Sequence, residues 1–291
     1  MQGRKMSVNR LGIFPNMGKE KVCEALPEFL KMCESYDIEP VLPLHIASQY
    51  GCAAYDVKNN QDLRNLDVGV SLGGDGTLLK MARYLAPVQV PVFGINFGKL
   101  GFLAEIDSGS IHKAIAKLGQ GVFTSESRSL LRAEVIKCGQ CIRTVDALND
   151  LVLAKGTFSK LAHLQMYING KVSGSYAADG IIVATATGST AYSLSAGGPL
   201  VQPELDISVI TPVCAHSLTA RALVIPMTEV IEFKAMPGSE ELLLSADGEN
   251  VVTVTDDMCV RILKSPYMMK FIRLTSRDYY QTWQQKLMRN I

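Results

Sequence analysis

Neither of the two commonest phosphate-binding signatures is present in this chain. No GxxxxGK[ST] and no GxGxxG occurs in its 291 residues, which sets aside a P-loop ATPase and a typical dinucleotide-dependent dehydrogenase. An excess of one charge is missing too, since 29 Lys and Arg face 28 Asp and Glu for a formal net charge of +1. That balance offers no global field to nucleic acid or to an anionic membrane, so any anion must be held by a local site. No secretory leader is expected either. The basic opening MQGRKMSVNR runs into LGIFPN rather than into roughly 7 to 15 apolar residues, and the cytoplasm is the expected location. No membrane span is expected, because the uncharged stretch from Gly180 to Pro203 is broken by Gly188, Gly197, Gly198 and Pro199 and is full of Ser and Thr.

The cysteines are not arranged for cross-linking. Seven of them, an odd number in a chain without a secretory signal, fit reduced thiols better than a disulfide framework. Cys138 and Cys141 form CGQC, but no second CxxC exists to complete a zinc tetrahedron. The motif lies between LLRAEVIK and IRTVDAL, two strand-like runs, whereas a redox dithiol would open a helix; a plain hairpin turn is expected. The remaining composition, 47% hydrophobic and 20% charged with one Trp, is that of a soluble globular protein.

The first third alternates strand-like and helix-like stretches: LGIFPN, Lys19 to Glu34, EPVLPL, DVGVSL, Thr77 to Tyr84, and VPVFGIN. This is the pattern of a parallel sheet with crossover helices. The helix from Lys19 carries Val22, Leu26, Phe29, Leu30 and Cys33 on one face, and Pro27 is expected to kink it or to mark a late start. After a short helical stretch near Ile111 to Leu118 the texture becomes strands and turns, including YINGKV, where Asn169-Gly170 signals a two-residue hairpin. Tyr280, Trp283 and Leu287 then fall on one face of a helix beginning near Ser276. The expected fold is an α/β N-terminal domain with a parallel sheet, a predominantly β C-terminal domain, and a C-terminal helix returning to the N-terminal domain. The expected division is 1–105, rejoined by 275–291, and 106–274, with a ligand in the cleft between them.

Two loops carry the chemistry. VSLGGDGTLLKMA places Gly73, Gly74, Asp75, Gly76 and Thr77 between a strand and a helix, where the carboxyl ends of parallel strands face a ligand crevice. Three glycines permit positive φ and close approach of a polyanion, and the helix start presents free N–H groups, so the stretch reads as a phosphate cradle. A carboxylate there repels phosphate by about 1 kcal/mol in bulk water at about 4 Å, and by more in a shielded cleft. Asp75 is either a helix cap in an Asp-Gly turn or a group that orients and deprotonates a hydroxyl attacking a bound phosphoryl group. The second loop, DGIIVATATGSTAYSLSAGGP from Asp179 to Pro199, repeats this physics. An acid and an apolar strand precede Thr187, Gly188, Ser189 and Thr190, with Tyr192 as a stacking face. Read alone, it would be a Ser/Thr-rich edge strand and loop.

Taken together, GGDGT, NFGKLGFLAE (96–105), LND (148–150), DGIIVATATGSTAY (179–192), TPVCAHSLTARALVIP (211–226) and SADGEN (245–250) resemble the NAD kinase family over nearly the whole chain. GGDGT alone is shared with lipid kinases and phosphofructokinases, and TGSTAY makes the resemblance specific. It implies phosphoryl transfer from ATP to the 2′-hydroxyl of the adenosine ribose of NAD, giving NADP, with a divalent metal, Mg²⁺, bridging the donor phosphates. By the same resemblance Asp75 is the proton acceptor and Gly76 the adjoining backbone contact. Asn149 and Asp150 hold ribose and adenine, while Asp179, Thr190, Ala191, Tyr192 and Ser195 complete the NAD pocket. Lys80 and Lys160 are cationic neighbours of its phosphates. Gly73, Gly74, Gly76, Thr77, Gly188 and Ser189 form the phosphate-donor loops. Ile207 aligns with a position lying along the dinucleotide, and a core strand residue is the alternative.

The chain departs from the family in having Asp150 where Glu is usual, one methylene shorter, and Ala186, Ala215 and Ala222 where prolines are usual, which loosens loops without removing chemical groups. His216 reads as structural or as a pocket group. The resemblance further implies a homodimer or homotetramer, and the metal ligands stay open. Two other readings remain at this stage. One is a GGDGT-type lipid or sugar kinase, recognised by its acceptor; the other is a non-catalytic NAD-binding sensor, recognised by binding without NADP formation.

Overall fold

The apolar runs of the first third become a parallel sheet because, lacking side-chain charges, they can be buried on both faces. The computed structural model describes residues 8–98, 101–156, 161–217, 219–236, 241–275 and 278–287. Their contacts divide the chain into one unit of Met1–Ser127 with Met269–Ile291, and a second of Arg128–Met268.

In the first unit the elements run β1 (Arg10–Pro15), α1 (Glu20–Ser35), β2 (Glu39–Pro43), α2 (Leu44–Tyr50), β3 (Ala53–Tyr55), α3 (Asn60–Arg64), β4 (Val68–Gly73), α4 (Asp75–Leu85), β5 (Val92–Asn96), β6 (Ile106–Asp107) and α5 (Ile111–Gly119). The strands are parallel in the order β5-β4-β1-β2-β3. All six residues of β4 and all five of β5 are buried. The α1 face buries Val22, Leu26, Phe29, Leu30 and Cys33, as its periodicity predicts, and adds Met32. Pro27 does not break the helix, which is continuous across it. The proline is on the exposed face, so the Cys23 carbonyl it leaves without an N–H partner lies on the side where water can serve it. The apolar face of α5, Ile111, Ala114, Ile115 and Leu118, joins the same core as α1 and β1.

The second unit is strands and turns. It contains most of β7 (Thr124–Lys137), β8 (Gln140–Ala147), β9 (Asp150–Lys155), β10 (Ala162–Ile168), β11 (Lys171–Ala178), β12 (Gly180–Thr185), α6 (Tyr192–Ser195), β13 (Ile207–Val213), β14 (Leu223–Pro226), β15 (Ile231–Ala235), β16 (Leu242–Ala246), β17 (Glu249–Val254) and most of β18 (Met258–Arg273). One antiparallel sheet has the order β14-β13-β12-β9-β16-β17. Antiparallel pairings also join β11, β10, β15 and β18. Leu151, Ile181 and Leu244 of the first set share a core with Leu164, Phe233 and Ile262 of the second, the face-to-face packing of two sheets. CGQC is a hairpin turn: Cys138 and Gly139, at φ 49° and 77°, join β7 to β8, and both cysteines are free. Asn169-Gly170, at φ 50° and 75°, joins β10 to β11, the type I′ geometry that matches strand twist.

The chain then returns to the first unit, where Phe271 of β18 pairs in parallel with Val92 of β5 and α7 (Tyr279–Leu287) follows. The anchor of α7 is not the face read from the sequence. Tyr279 is buried; of the expected face Trp283 is half-buried, whereas Tyr280 is 67% and Leu287 37% exposed, and Ser276 lies outside the described residues. Periodicity pointed to the apolar ring positions, but a hydrogen bond decided the orientation, the Tyr279 hydroxyl donating to Glu126 at 2.7 Å. Among the described residues no helix is long and apolar enough to cross a membrane.

Candidate active site

The first loop turns from β4 into α4 at Gly73–Gly74–Asp75. None of Gly73, Gly74 and Gly76 has positive φ, contrary to the expectation, and Gly74 is extended at φ −148°. These glycines keep space open instead. A Cβ on Gly74 would sit 3.4 Å from Nζ of Lys19, and one on Gly98 would sit 3.5 Å from it. That half-buried ammonium donates to the Gly73 carbonyl at 3.3 Å and has no carboxylate partner among the described residues. Asn16 donates to the Thr77 hydroxyl at 3.4 Å, and Asn96 to the Gly98 carbonyl at 3.1 Å. A cation with no carboxylate partner among the described residues, beside a glycine-lined helix start, is an arrangement that attracts anions. Next to it a cavity of about 790 Å³ opens at the carboxyl ends of β1, β2 and β3, lined by Asn16, His45, Asp56, Gly76, Thr77 and Lys80 among others.

Asp75 does not line that cavity. Its carboxylate accepts backbone N–H groups from Phe102 at 2.6 Å, Leu103 at 3.2 Å and Ala104 at 3.1 Å. Three donors leave about one of a carboxylate's four acceptor positions for a further partner. Asp75 thus ties the NFGKLGFLAE loop to the start of α4, a structural duty that its Asp-Gly signature did not disclose.

The second unit contains a matching device. Asp247, at φ 48° in a second Asp-Gly turn, accepts N–H groups from Leu148 at 2.9 Å, Asn149 at 2.7 Å and Asp150 at 3.2 Å. Thr185 closes the other side: its hydroxyl donates to the Leu148 carbonyl at 2.6 Å and accepts the Gly188 N–H at 3.0 Å. A Cβ on Gly188 would fall 2.0 Å from the Asn149 carbonyl oxygen, so only glycine permits this approach. One acceptor at this junction is left unsatisfied. Asn149 Oδ1 is buried without a hydrogen-bond partner, which in a native fold calls for a ligand or water. Burial, and then the charge of Asp247, push the Asp150 carboxyl up to about 7.

The other expected residues are dispersed around these centres. Ser189 is fully buried, its hydroxyl donating to Ala186 and accepting from the Val201 N–H. It shapes the loop from inside. Thr190 donates to the Thr187 carbonyl at 3.2 Å, Ala191 is half-buried, and Tyr192 and Ser195 are exposed on α6. Asp179 pairs with Lys155 at 2.6 Å, next to Gly180, which opposes Ala154 at one end of the ladder whose other end sets Ala184 against Asp150. Four residues of strand rise separate the two ends by about 14 Å, so the structure does not bring Asp179 to Asn149. Ile207, half-buried, packs against the cluster of Ile182, Ala184 and Val209. Lys160 lies outside the described residues. Lys19 and Asp247 were missed as site residues. A lysine at a helix start reads as solvated surface, and the long-range contacts of Asp247 leave no local pattern.

Among the described residues no group of three His, Cys, Asp or Glu is placed to cage a metal.

Comparison with known proteins adds independent findings. Residues 45–123 match the family model of the ATP-NAD kinase N-terminal domain, and residues 148–274 that of the ATP-NAD kinase C-terminal domain. The chain is 36% identical over 280 residues to an NAD kinase of Thermoanaerobacter sp. (strain X514), covering 96% of this chain and 99% of that protein. It is 40% identical over 222 residues to an NAD kinase of Symbiobacterium thermophilum, covering 76% and 78%. Two solved structures are similar. Yeast NADH kinase complexed with NADH gives a TM-score of 0.89 at 26% identity, covering 98% of this chain and 89% of that one. An Archaeoglobus fulgidus NAD kinase in complex with ATP gives 0.72 at 25% identity, covering 95% and 98%.

Proposed function

This chain belongs to the NAD kinase family, and from that premise we propose that it transfers the terminal phosphoryl group of ATP to the 2′-hydroxyl of the adenosine ribose of NAD. The observation that carries the acceptor assignment is the buried, partnerless Oδ1 of Asn149 beside the raised Asp150 carboxyl. Such a pair is built to receive the amino and hydroxyl hydrogens of an adenosine, and leaving it unfilled is unfavourable. On the donor side Lys19, without a carboxylate partner among the described residues, together with the helix start at Gly74–Gly76, supports a seat for the phosphates of ATP.

In this reading the chemistry is positioning and electrostatics, as in phosphoryl transfer generally. The ammonium of Lys19 and the glycine-loop amides hold the donor phosphates, and the acceptor position left on Asp75 receives the hydrogen of the attacking hydroxyl. A divalent cation, Mg²⁺, would be held chiefly by the donor phosphates and water; when bound it would neutralise phosphate charge. We assign the dinucleotide to the β-rich domain, and Thr190, Ala191, Tyr192 and Ser195 to the remainder of its pocket. A cytoplasmic location and a homodimer or homotetramer complete the proposal, the latter checked by light scattering.

The test is a coupled assay for NADP with ATP, other nucleoside triphosphates and polyphosphate as donors, and with diacylglycerol and hexose phosphate as rival acceptors. Asp75→Asn should lower kcat by about 10² to 10⁴ while NAD affinity stays near wild type. Wild-type turnover in that variant would remove Asp75 from the mechanism. NAD binding without NADP would mark a sensor instead.

A further inference from the structure

The amides that hold Asp75 belong to residues 102–104, and the next residue, Glu105, enters one of the most buried charge clusters in the chain. The Glu105 side chain is 3% exposed and that of Arg273 6%. Arg273 Nη1 donates to Glu105 Oε2 at 2.9 Å, and the Leu274 N–H donates to Glu105 Oε1 at 3.1 Å. Arg273 Nε donates to Glu126 at 2.9 Å, and Glu126 also accepts the Tyr279 hydroxyl at 2.7 Å. The backbone of Glu105 is fixed as well, its N–H donating to the Gly94 carbonyl on β5 at 3.0 Å. The segment therefore has little slack. It is tied at 102–104 to Asp75 and at 105 to β5, β18 and, through Arg273 and Glu126, to α7.

A carboxylate at 105 does what a neutral amide cannot, because its two oxygens accept from Arg273 and from the Leu274 N–H at once, whereas Gln has a single acceptor oxygen. We propose that Glu105 is a positioning residue for Asp75: held by Arg273 and Leu274, it fixes the 102–104 amides that aim the Asp75 carboxylate, so that the docking of α7 sets the turnover rate. This rests on the kinase reading above, in which Asp75 receives the acceptor hydrogen.

The experiment compares wild type, Glu105→Gln, Asp75→Asn and the double variant for thermal midpoint, kcat, and KM for ATP and for NAD. Glu105→Gln keeps the shape of the side chain but leaves one of two buried donors without its acceptor, so its midpoint should fall, and the kinetics are read well below it. Its kcat should fall about tenfold or more, with both KM values within about twofold, and in the Asp75→Asn background it should add no further loss. Unchanged kcat, losses that multiply in the double variant, or an effect confined to KM would overturn the proposal. Should Glu105→Gln not fold, Tyr279→Phe, which keeps the ring and both ion pairs of Arg273, reads the same coupling: a smaller fall in kcat, absent in the Asp75→Asn background, supports it, and wild-type kcat overturns it. A wild-type chain that makes no NADP overturns the kinase reading and this proposal together, whereas an active wild type with an indifferent Glu105→Gln overturns only the positioning role.

Discussion

Replacing Asp150 by Asn should stabilise the ligand-free protein, and increasingly so as pH rises. Asp150 is 5% exposed, and its carboxyl is raised from 3.8 to about 7 by burial and by Asp247. The folded state therefore holds this proton more tightly than the unfolded state. Between those two values folding takes up protons, so stability is highest below the unfolded pKa and is lost as pH rises through the folded one. A shift of about three units corresponds to about 4 kcal/mol when the group is fully ionised in both states. At pH 5 about 2 kcal/mol of that has developed, and by pH 8 nearly all of it has. Asn has the same shape and no charge, so the variant should gain about 2 kcal/mol on wild type between pH 5 and pH 8. That corresponds to a Tm gap widening by roughly 4 to 8 °C. Thermal unfolding of both proteins without ligand at pH 5 and pH 8 measures it. A gap that stays constant, or that narrows with pH, would refute the assignment of a proton to Asp150. Adding NAD should close the gap, because bound hydroxyls give the wild-type carboxylate the donors that it lacks.

Lys19→Met should lower kcat/KM for ATP by about 10² to 10³, the loss of one preorganised charge contact in a shielded site, with KM for NAD little changed; steady-state kinetics with each substrate varied decides this, and an effect on NAD alone would place the ammonium elsewhere. Gly188→Ala should weaken NAD binding severely and lower Tm, because its Cβ would enter the space 2.0 Å from the Asn149 carbonyl oxygen; calorimetric titration with NAD showing wild-type affinity would mean that the TGST loop relaxes freely.

The parts legible in the sequence were those with local causes. Uncharged runs and a helix period of apolar residues marked β1, β4, β5 and α1, and turn chemistry marked the Asn169-Gly170 and Cys138-Gly139 hairpins. Pro27 misled because a kink depends on which face the proline occupies, and the exposed face tolerates it. Tyr280 misled because an apolar ring suggested burial, while Tyr279 had the buried carboxylate to bond. At the candidate site, Gly74, Asp75, Asn149 and Asp150 were found from motifs, whereas the seating of Lys19 over Gly74 and Gly98, from separate strand ends, had no local signature.

What the sequence determined by itself was therefore the inventory: an α/β half, a β half, a glycine loop with one carboxylate, and the family to which they belong. Tertiary structure decided what each group is free to do. It gave the Asp75 carboxylate to the 102–104 amides, left Asn149 Oδ1 without a partner, and put Asp247 against Asp150. The reason is physical: a side chain's identity fixes how many hydrogen bonds and charges it offers, but only packing of distant segments determines which are already satisfied, and catalysis and binding draw on those that remain.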